Sequence, residues 1–155
     1  MACNALDNPG FNGGSIDPWY PSPGSTPSIV TDDITYGGSS YLDLQTTTLT
    51  PGGFISQDLY WLDTANTYNL TVAVRIRDPI PTTGSCLVNA FLGSDPEAGE
   101  FASDIIWNGG EWVLLQGSVQ PTVRDTILNL GATCTFNGEV APAHVLFDEV
   151  IFGDC

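Results

Sequence analysis

Apolar and polar residues alternate through the middle of the chain. From residue 68, Tyr68, Leu70, Val72, Val74 and Ile76 fall on one side and Asn69, Thr71, Ala73, Arg75 and Arg77 on the other, the period of two of a half-buried strand. Shorter runs of the same kind are "SYLDLQ", "GFISQDLYW", "CLVNAFLG", "FASDIIW", "EWVLLQGSV", "DTILNLGATCTF" and "HVLFDEVIF". Turn signals separate them: "YGGSS", "PGG", "DPIPTTGS", "GSDPEAGE", "NGGE" and "FNGEVAP". Helical periodicity is hard to find. Many short strands with Gly and Pro turns predict an all-β fold, an antiparallel β-sandwich of jelly-roll type, as a single domain over residues 1–155. The Pro- and Ser-rich "YPSPGSTPS" reads as a surface loop between strands of that domain.

Charge narrows the partners. Lysine is absent, arginine occurs only at 75, 77 and 124, and 18 acidic residues bring the net charge to -15. Such a surface repels nucleic acid, anionic lipid and acidic polysaccharide, leaving neutral partners and cations. No run of about 18 apolar residues could span a membrane, and no charged start with an apolar middle marks a signal peptide. Met1-Ala2 therefore reads as an expression start on a mature chain.

Cys3, Cys86, Cys134 and Cys155 lack the CxxC spacing of a zinc site, and His144 is the sole histidine. Two disulfides are expected, with three pairings open, in an oxidising, extracellular compartment. Cys86 is in phase with Val88, Ala90 and Leu92, and Cys134 with Leu128, Leu130, Ala132 and Phe136, so both sulfurs should face the core. Asn69-Leu70-Thr71 is a glycosylation sequon, consistent with secretion.

Three separated segments, "NALDNPGFNGGSIDPW", "TDDITYGGSSYLDL" and "VLFDEVIF", resemble the Asn-Pro-Gly-Phe-Glu segment, the Ser-Gly-Ser-Tyr turn and the terminal Asp-Asp-Val strand of CenC-like carbohydrate-binding modules, families 4, 9 and 22 and their fungal relatives. Between them, "ISQDLYWLDTANTYNLTVAVRI" is similar to that family's Gln-containing strand, loop and Tyr-Thr-Leu strand. Their order runs over nearly the whole chain. The resemblance implies side-by-side first and last strands, and hence Cys3 paired with Cys155, which leaves Cys86 with Cys134. It also implies a structural Ca2+ under the first segment, with the backbone near Gly10, the side chain of Asn12, the carbonyls of the "YGGSS" turn and Asp148 as ligands. Asn12 stands where the family has an acid. The alternative on residues alone is that Asn12 caps a turn and Asp148 accepts backbone hydrogen bonds.

In such modules the concave sheet face holds the sugar. Strand positions out of phase with the core are Ser56, Asp58 and Tyr60, then Arg75, then Asn89 and Phe91, then Asp125 and Asn129. Asn89 and Asn129 resemble polar cleft positions, and Tyr20 an aromatic at the cleft edge. The forked donors of Arg75 suit sugar hydroxyls, or a pairing with Asp58 or Asp125. Trp19 and Trp112 match family positions packed under the sheets; Trp61 and Trp107 are open between stacking surface and core cover. Gln57 falls in phase with Ile55 and Leu59 and reads as a buried amide bonded to backbone.

No segment sets two carboxylates in an active-site motif, and one histidine with scattered serines makes no triad. The expected function is noncatalytic binding of a neutral cell-wall polysaccharide, a β-glucan or related glycan, with a catalytic domain as a partner in a longer parent. The alternatives are a secreted protein-interaction or effector domain on the same fold and, third, a small polysaccharide-cleaving enzyme.

Overall fold

The computed structural model describes residues 3–50 and 52–155; the reading of Met1-Ala2 lies outside them. Among the described residues, eleven strands and one short helix follow in the order β1 (Tyr20–Pro21), β2 (Thr26–Val30), β3 (Tyr41–Gln45), β4 (Phe54–Leu59), β5 (Tyr68–Ile76), β6 (Ser85–Leu92), α1 (Pro96–Gly99), β7 (Glu100–Ile106), β8 (Val113–Val119), β9 (Thr126–Phe136), β10 (Glu139–Ala141) and β11 (His144–Gly153). They form two antiparallel sheets. One has the order β1-β4-β9-β6-β7 with β10 beside β9; the other has the order β2-β3-β11-β5-β8.

Alternation accounts for the core. Ile55, Val88, Ala90, Leu128 and Leu130 of the first sheet, and Leu42, Leu44, Val72, Val74, Val145 and Phe147 of the second, are all buried in one cluster. Each large side chain among them contributes about 1.5–3 kcal/mol by leaving water. The β9–β10 hairpin turns on Asn137 and Gly138, both at positive φ (54° and 81°), which the twist of a tight hairpin demands. Asp95 caps α1 by accepting from the N–H groups of Glu97 and Ala98, with Pro96 in the first turn.

The "YPSPGSTPS" stretch is not a loop throughout. It supplies β1 and most of β2, each at a sheet edge, where β1 pairs only with β4 and β2 only with β3. Proline removes a ladder donor, so it survives in a strand at an edge, and Pro21 and Pro27 both sit there.

Cys86 and Cys134 stand directly opposite on β6 and β9, fully buried, with Cα atoms 4.0 Å apart, and form a disulfide facing the core. Cys3 and Cys155 meet with Cα atoms 5.7 Å apart, within the span of a disulfide. The first segment runs beside β11: the Ala5 N–H donates to the Phe152 carbonyl, the Asn4 side chain bonds both Val150 and Phe152, and the Val150 N–H donates to Pro9. It also buries Leu6, Phe11 and Trp19, with the Phe11 and Trp19 rings 6.0 Å apart. Gln57 grips it from below: Oε1 accepts from the Asp7 N–H and Nε2 donates to the Asp7 carbonyl, as expected of a buried amide.

Candidate functional site

Register places the site. On the outer face of the first sheet, one row crosses five strands: Tyr20 lies opposite Ser56, Ser56 opposite Asn129, Asn129 opposite Phe91, and Phe91 opposite Glu100. The next row is Phe54, Gly131, Asn89 and Ser103, and the one beyond it Thr133, Leu87 and Ile105. Strand spacing of ~4.8 Å makes the first row about 19 Å long. It is a floor crossing the strands.

The middle of that floor is apolar and tightly knit. Phe54 and Phe91 meet edge to face with centroids 5.7 Å apart, and Phe91 is only 2% exposed. Asn129 is 3% exposed, and its amide is spent: Oδ1 accepts from Ser56 Oγ at 2.6 Å, while Nδ2 donates to the carbonyls of Gly93 at 2.7 Å and Phe91 at 3.2 Å. Asn129 therefore fastens the β6–α1 connection to the sheet. Beside it, Gly131 leaves a depression. A Cβ there would lie 2.5 Å from Asn89 Oδ1, so the missing side chain lets Asn89 rest across β9 while its Nδ2 donates to Glu100 Oε2 at 2.9 Å.

At the β1/β4 end the surface becomes aromatic and exposed. The Tyr20 hydroxyl donates to Asp58 Oδ1 at 2.7 Å, and the Tyr60 hydroxyl reaches Asp58 Oδ2 at 3.4 Å. Partial burial, then the adjacent Asp58 carboxylate, pushes the Tyr20 phenol up to about 12, so it stays a donor throughout the physiological range. Tyr60 (63% exposed) borders a recess with Asp58, Gly93, Ser94, Asp125, Thr126 and Ile127. Trp61 follows, 83% exposed and held at φ 61°, its N–H donating to Asp125 Oδ1 at 3.2 Å. A bulky residue in that left-handed region is strained, and the Asp125 contact helps hold it.

Of the residues singled out by phase, Asp58, Tyr60, Asn89, Phe91, Asp125 and Asn129 thus come together on one face or its rim, with Tyr20, expected from the resemblance, beside them. Arg75 does not. It belongs to β5, opposite Leu146 on β11, on the outer face of the other sheet, and cannot pair with Asp58 or Asp125 across the sandwich. Alternation tells in from out; it does not tell which of two outer faces. Phe54, Glu100, Ser103 and Gly131 complete the floor, and sequence reasoning missed them. The bulge between Ala90 and Phe91 shifts the β7 pairing, which hid Glu100, and a glycine carries no phase at all. Trp19 is buried as expected. Trp112 lies outside the five-stranded sheet, its Nε1 donating to Ile34 and its ring against Tyr36 and Tyr41. His144 is also on that side, Nδ1 2.9 Å from Asp43 Oδ1, with Arg77 paired to the same carboxylate.

The residues expected to hold calcium are near one another, but their oxygens are largely engaged. Asp148 is fully buried; Oδ2 accepts from the N–H groups of Tyr36 and Gly37, and Oδ1 from that of Glu149. Burial raises its pKa, against the pull of those donors. Asn12 Oδ1 accepts from the N–H groups of Ser39 and Ser40. The carboxylate of the half-buried Glu149 stands between two turns instead: a Cβ on Gly10 or Gly37 would lie 3.0 Å or 2.9 Å from its Oε1. Glu149 holds φ 48° at the bulge of β11, which aims it there. Glu149 brings a carboxylate of the kind Ca2+ accepts to this corner, whereas Asn12 Oδ1 is taken by Ser39 and Ser40. Among the described residues there is no cluster of three or more His, Cys, Asp or Glu side chains that could hold a metal ion.

No family model matches the chain, and no curated protein does. Solved structures do. The CBM22-2 xylan-binding domain from Paenibacillus barcinonensis Xyn10C is 17% identical, with TM-score 0.71 over 94% of this chain and 97% of that one. The C-terminal family 22 carbohydrate-binding module of Clostridium thermocellum Xyn10B is 14% identical, with TM-score 0.69 over 99% and 95%. TmCBM61, solved with β-1,4-galactotriose, is 14% identical, with TM-score 0.60 over 99% and 100%. The chain thus has the β-sandwich fold of the family 22 carbohydrate-binding modules, the fold that its N-terminal, turn and last-strand segments led us to expect.

Proposed function

We propose that the protein is a noncatalytic carbohydrate-binding module that holds a neutral polysaccharide, a β-glucan or related cell-wall glycan, on the outer face of the six-stranded sheet. One observation carries the reading: a floor crossing five strands, apolar at half-buried Phe54, which Phe91 supports from the side, polar at Asn89 and Glu100, and bordered by the exposed rings of Tyr20 and Tyr60. Rings offer apolar area to the C–H faces of sugars, and the amide and carboxylates accept from hydroxyls. Arg75 and Arg77 lie at the opposite sheet, so neither complements an acidic sugar on this face. The xylan and galactotriose named for the structural neighbours support the glycan class. The function is adsorption, which raises the local concentration of whatever is attached, a catalytic domain included. A Ca2+ ion would be held by Glu149 with backbone carbonyls near Gly10 and in the "YGGSS" turn, and by Asn12 only if it gave up Ser39 and Ser40, joining the first segment to the last strand; secretion is part of the same proposal.

Affinity electrophoresis and calorimetry against a panel of neutral and acidic glycans test it, with Tyr60→Ala on the site and Arg75→Ala on the opposite face. Retardation by a neutral glycan that Tyr60→Ala weakens and Arg75→Ala leaves alone is expected. Failure of every neutral glycan to bind overturns the reading. Exposed Leu87, Ile105 and Trp107 at the β6/β7 end favour a second reading, contact with a protein partner. Polar substitution of Leu87 and Ile105 would then abolish partner capture while glycan binding stayed nil.

A further inference from the structure

Asn69-Leu70-Thr71 is the only Asn-X-Ser/Thr sequence in the chain, and nothing in the glycan-binding reading uses it. The three residues lie near the start of β5 in extended conformation. Leu70 is buried in the core, so Asn69 and Thr71, two apart, share the outer face of the five-stranded sheet. Asn69 is exposed. Its strand neighbours are small: Ser118 on β8 and Gly153 on β11. Ser118 Oγ donates to Asn69 Oδ1 at 2.7 Å, which fixes the amide with its oxygen toward β8. Shallow recesses lie on both flanks, one along Gln116, Gly117 and Ser118, the other along Ile151, Gly153 and the Cys3–Cys155 pair.

We propose that Asn69 is an N-glycosylation site and that its glycan covers the face opposite the six-stranded sheet, over exposed Ile151 and the terminal cysteine pair. Transfer comes from a lipid-linked oligosaccharyl diphosphate. Asn69 Nδ2 forms a bond to the anomeric carbon, the bond from that carbon to the diphosphate oxygen breaks, Nδ2 loses one proton, and the lipid diphosphate leaves. The finished strand is paired on both sides, but β8 and β11 are both synthesised after β5, so the sequon emerges with neither partner yet made. Once the sheet closes, Ser118 and Gly153 are its cross-strand neighbours, with the Cys3 backbone over Gly153, and Asn69 itself stays exposed, so the sugars extend outward.

The test is secretion of the chain through the endoplasmic reticulum of yeast behind a heterologous leader. A mass above that of the polypeptide is expected, removed by peptide N-glycosidase with conversion of Asn69 to an aspartate that mass spectrometry locates. Asn69→Gln and Thr71→Ala should lose the added mass, and Thr71→Ser, which keeps the acceptor pattern, should retain it. Secreted, folded wild-type protein without N-linked sugar overturns the proposal. The inference does not depend on the glycan-binding reading. Where a panel glycan binds, modified and Asn69→Gln proteins should bind it equally, and a loss confined to the modified protein would overturn the opposite-face placement.

Discussion

Replacing Asn129 by alanine separates a residue that contacts ligand from one that builds the surface. By phase alone Asn129 belongs to the sugar-binding set, yet its side chain is buried with its hydrogen bonds spent on protein neighbours, Ser56 at 2.6 Å and Gly93 at 2.7 Å. Alanine removes both bonds and leaves a buried hydroxyl and a carbonyl without their partner, at about 1–3 kcal/mol for each group. Ser56 can rotate and the 3.2 Å contact to Phe91 is weak, so we expect about 3 kcal/mol in total. For a domain of this size that lowers Tm by roughly 6–12 °C. Differential scanning calorimetry supplies the stability and titration calorimetry the affinity. Below the lowered transition the variant should still bind glycan, weakened because the Gly93 connection has loosened. Asn129→Asp should also destabilise, since a carboxylate can accept from Ser56 but faces the Gly93 carbonyl with no donor. A Tm within about 2 °C of wild type together with abolished binding would refute the reasoning and make Asn129 a direct ligand contact.

Gly131→Ala should weaken glycan binding several-fold with a smaller effect on Tm, because the new Cβ, 2.5 Å from Asn89 Oδ1, lifts Asn89 from the floor; unchanged affinity by calorimetry would contradict that. The Tyr20 phenol is raised from 10.0 to about 12, so its protonated form is favoured in the fold, and this stability is fully present below pH 10 and lost as pH rises towards 12. Asp58→Asn should bring its titration down towards 10, read by alkaline difference spectroscopy against Tyr20→Phe; an unmoved curve would remove Asp58 as a cause. Calcium added to chelator-treated protein should raise Tm, and Glu149→Gln should cut that rise by more than half, whereas a shift equal in both proteins would exclude Glu149 as a ligand.

Much of the architecture was legible in the chain. The period of two in Tyr68–Ile76, the inward phase of Cys86 and Cys134 and the buried amide of Gln57 all follow from strand geometry, because a side chain on a strand has only two directions and the core accepts one. Edge strands were harder. In β2, Thr26, Ile29 and Val30 favour a strand, but Pro27 and the half-exposed positions break the alternation, so only the pairing with β3 reveals it.

Alternation along each strand was determined by the amino-acid sequence itself, and with it which residues of β4, β6 and β9 turn away from the core. Only the tertiary structure decided which of those outward residues meet. Arg75 and Asp58 are both outward but on opposite sides of the molecule, Asn129 is outward yet sealed beneath its neighbours, and Glu100 enters the floor through a bulge. The physical reason is that phase is a local property of a strand, whereas sheet membership, register and crowding depend on partners far away in sequence.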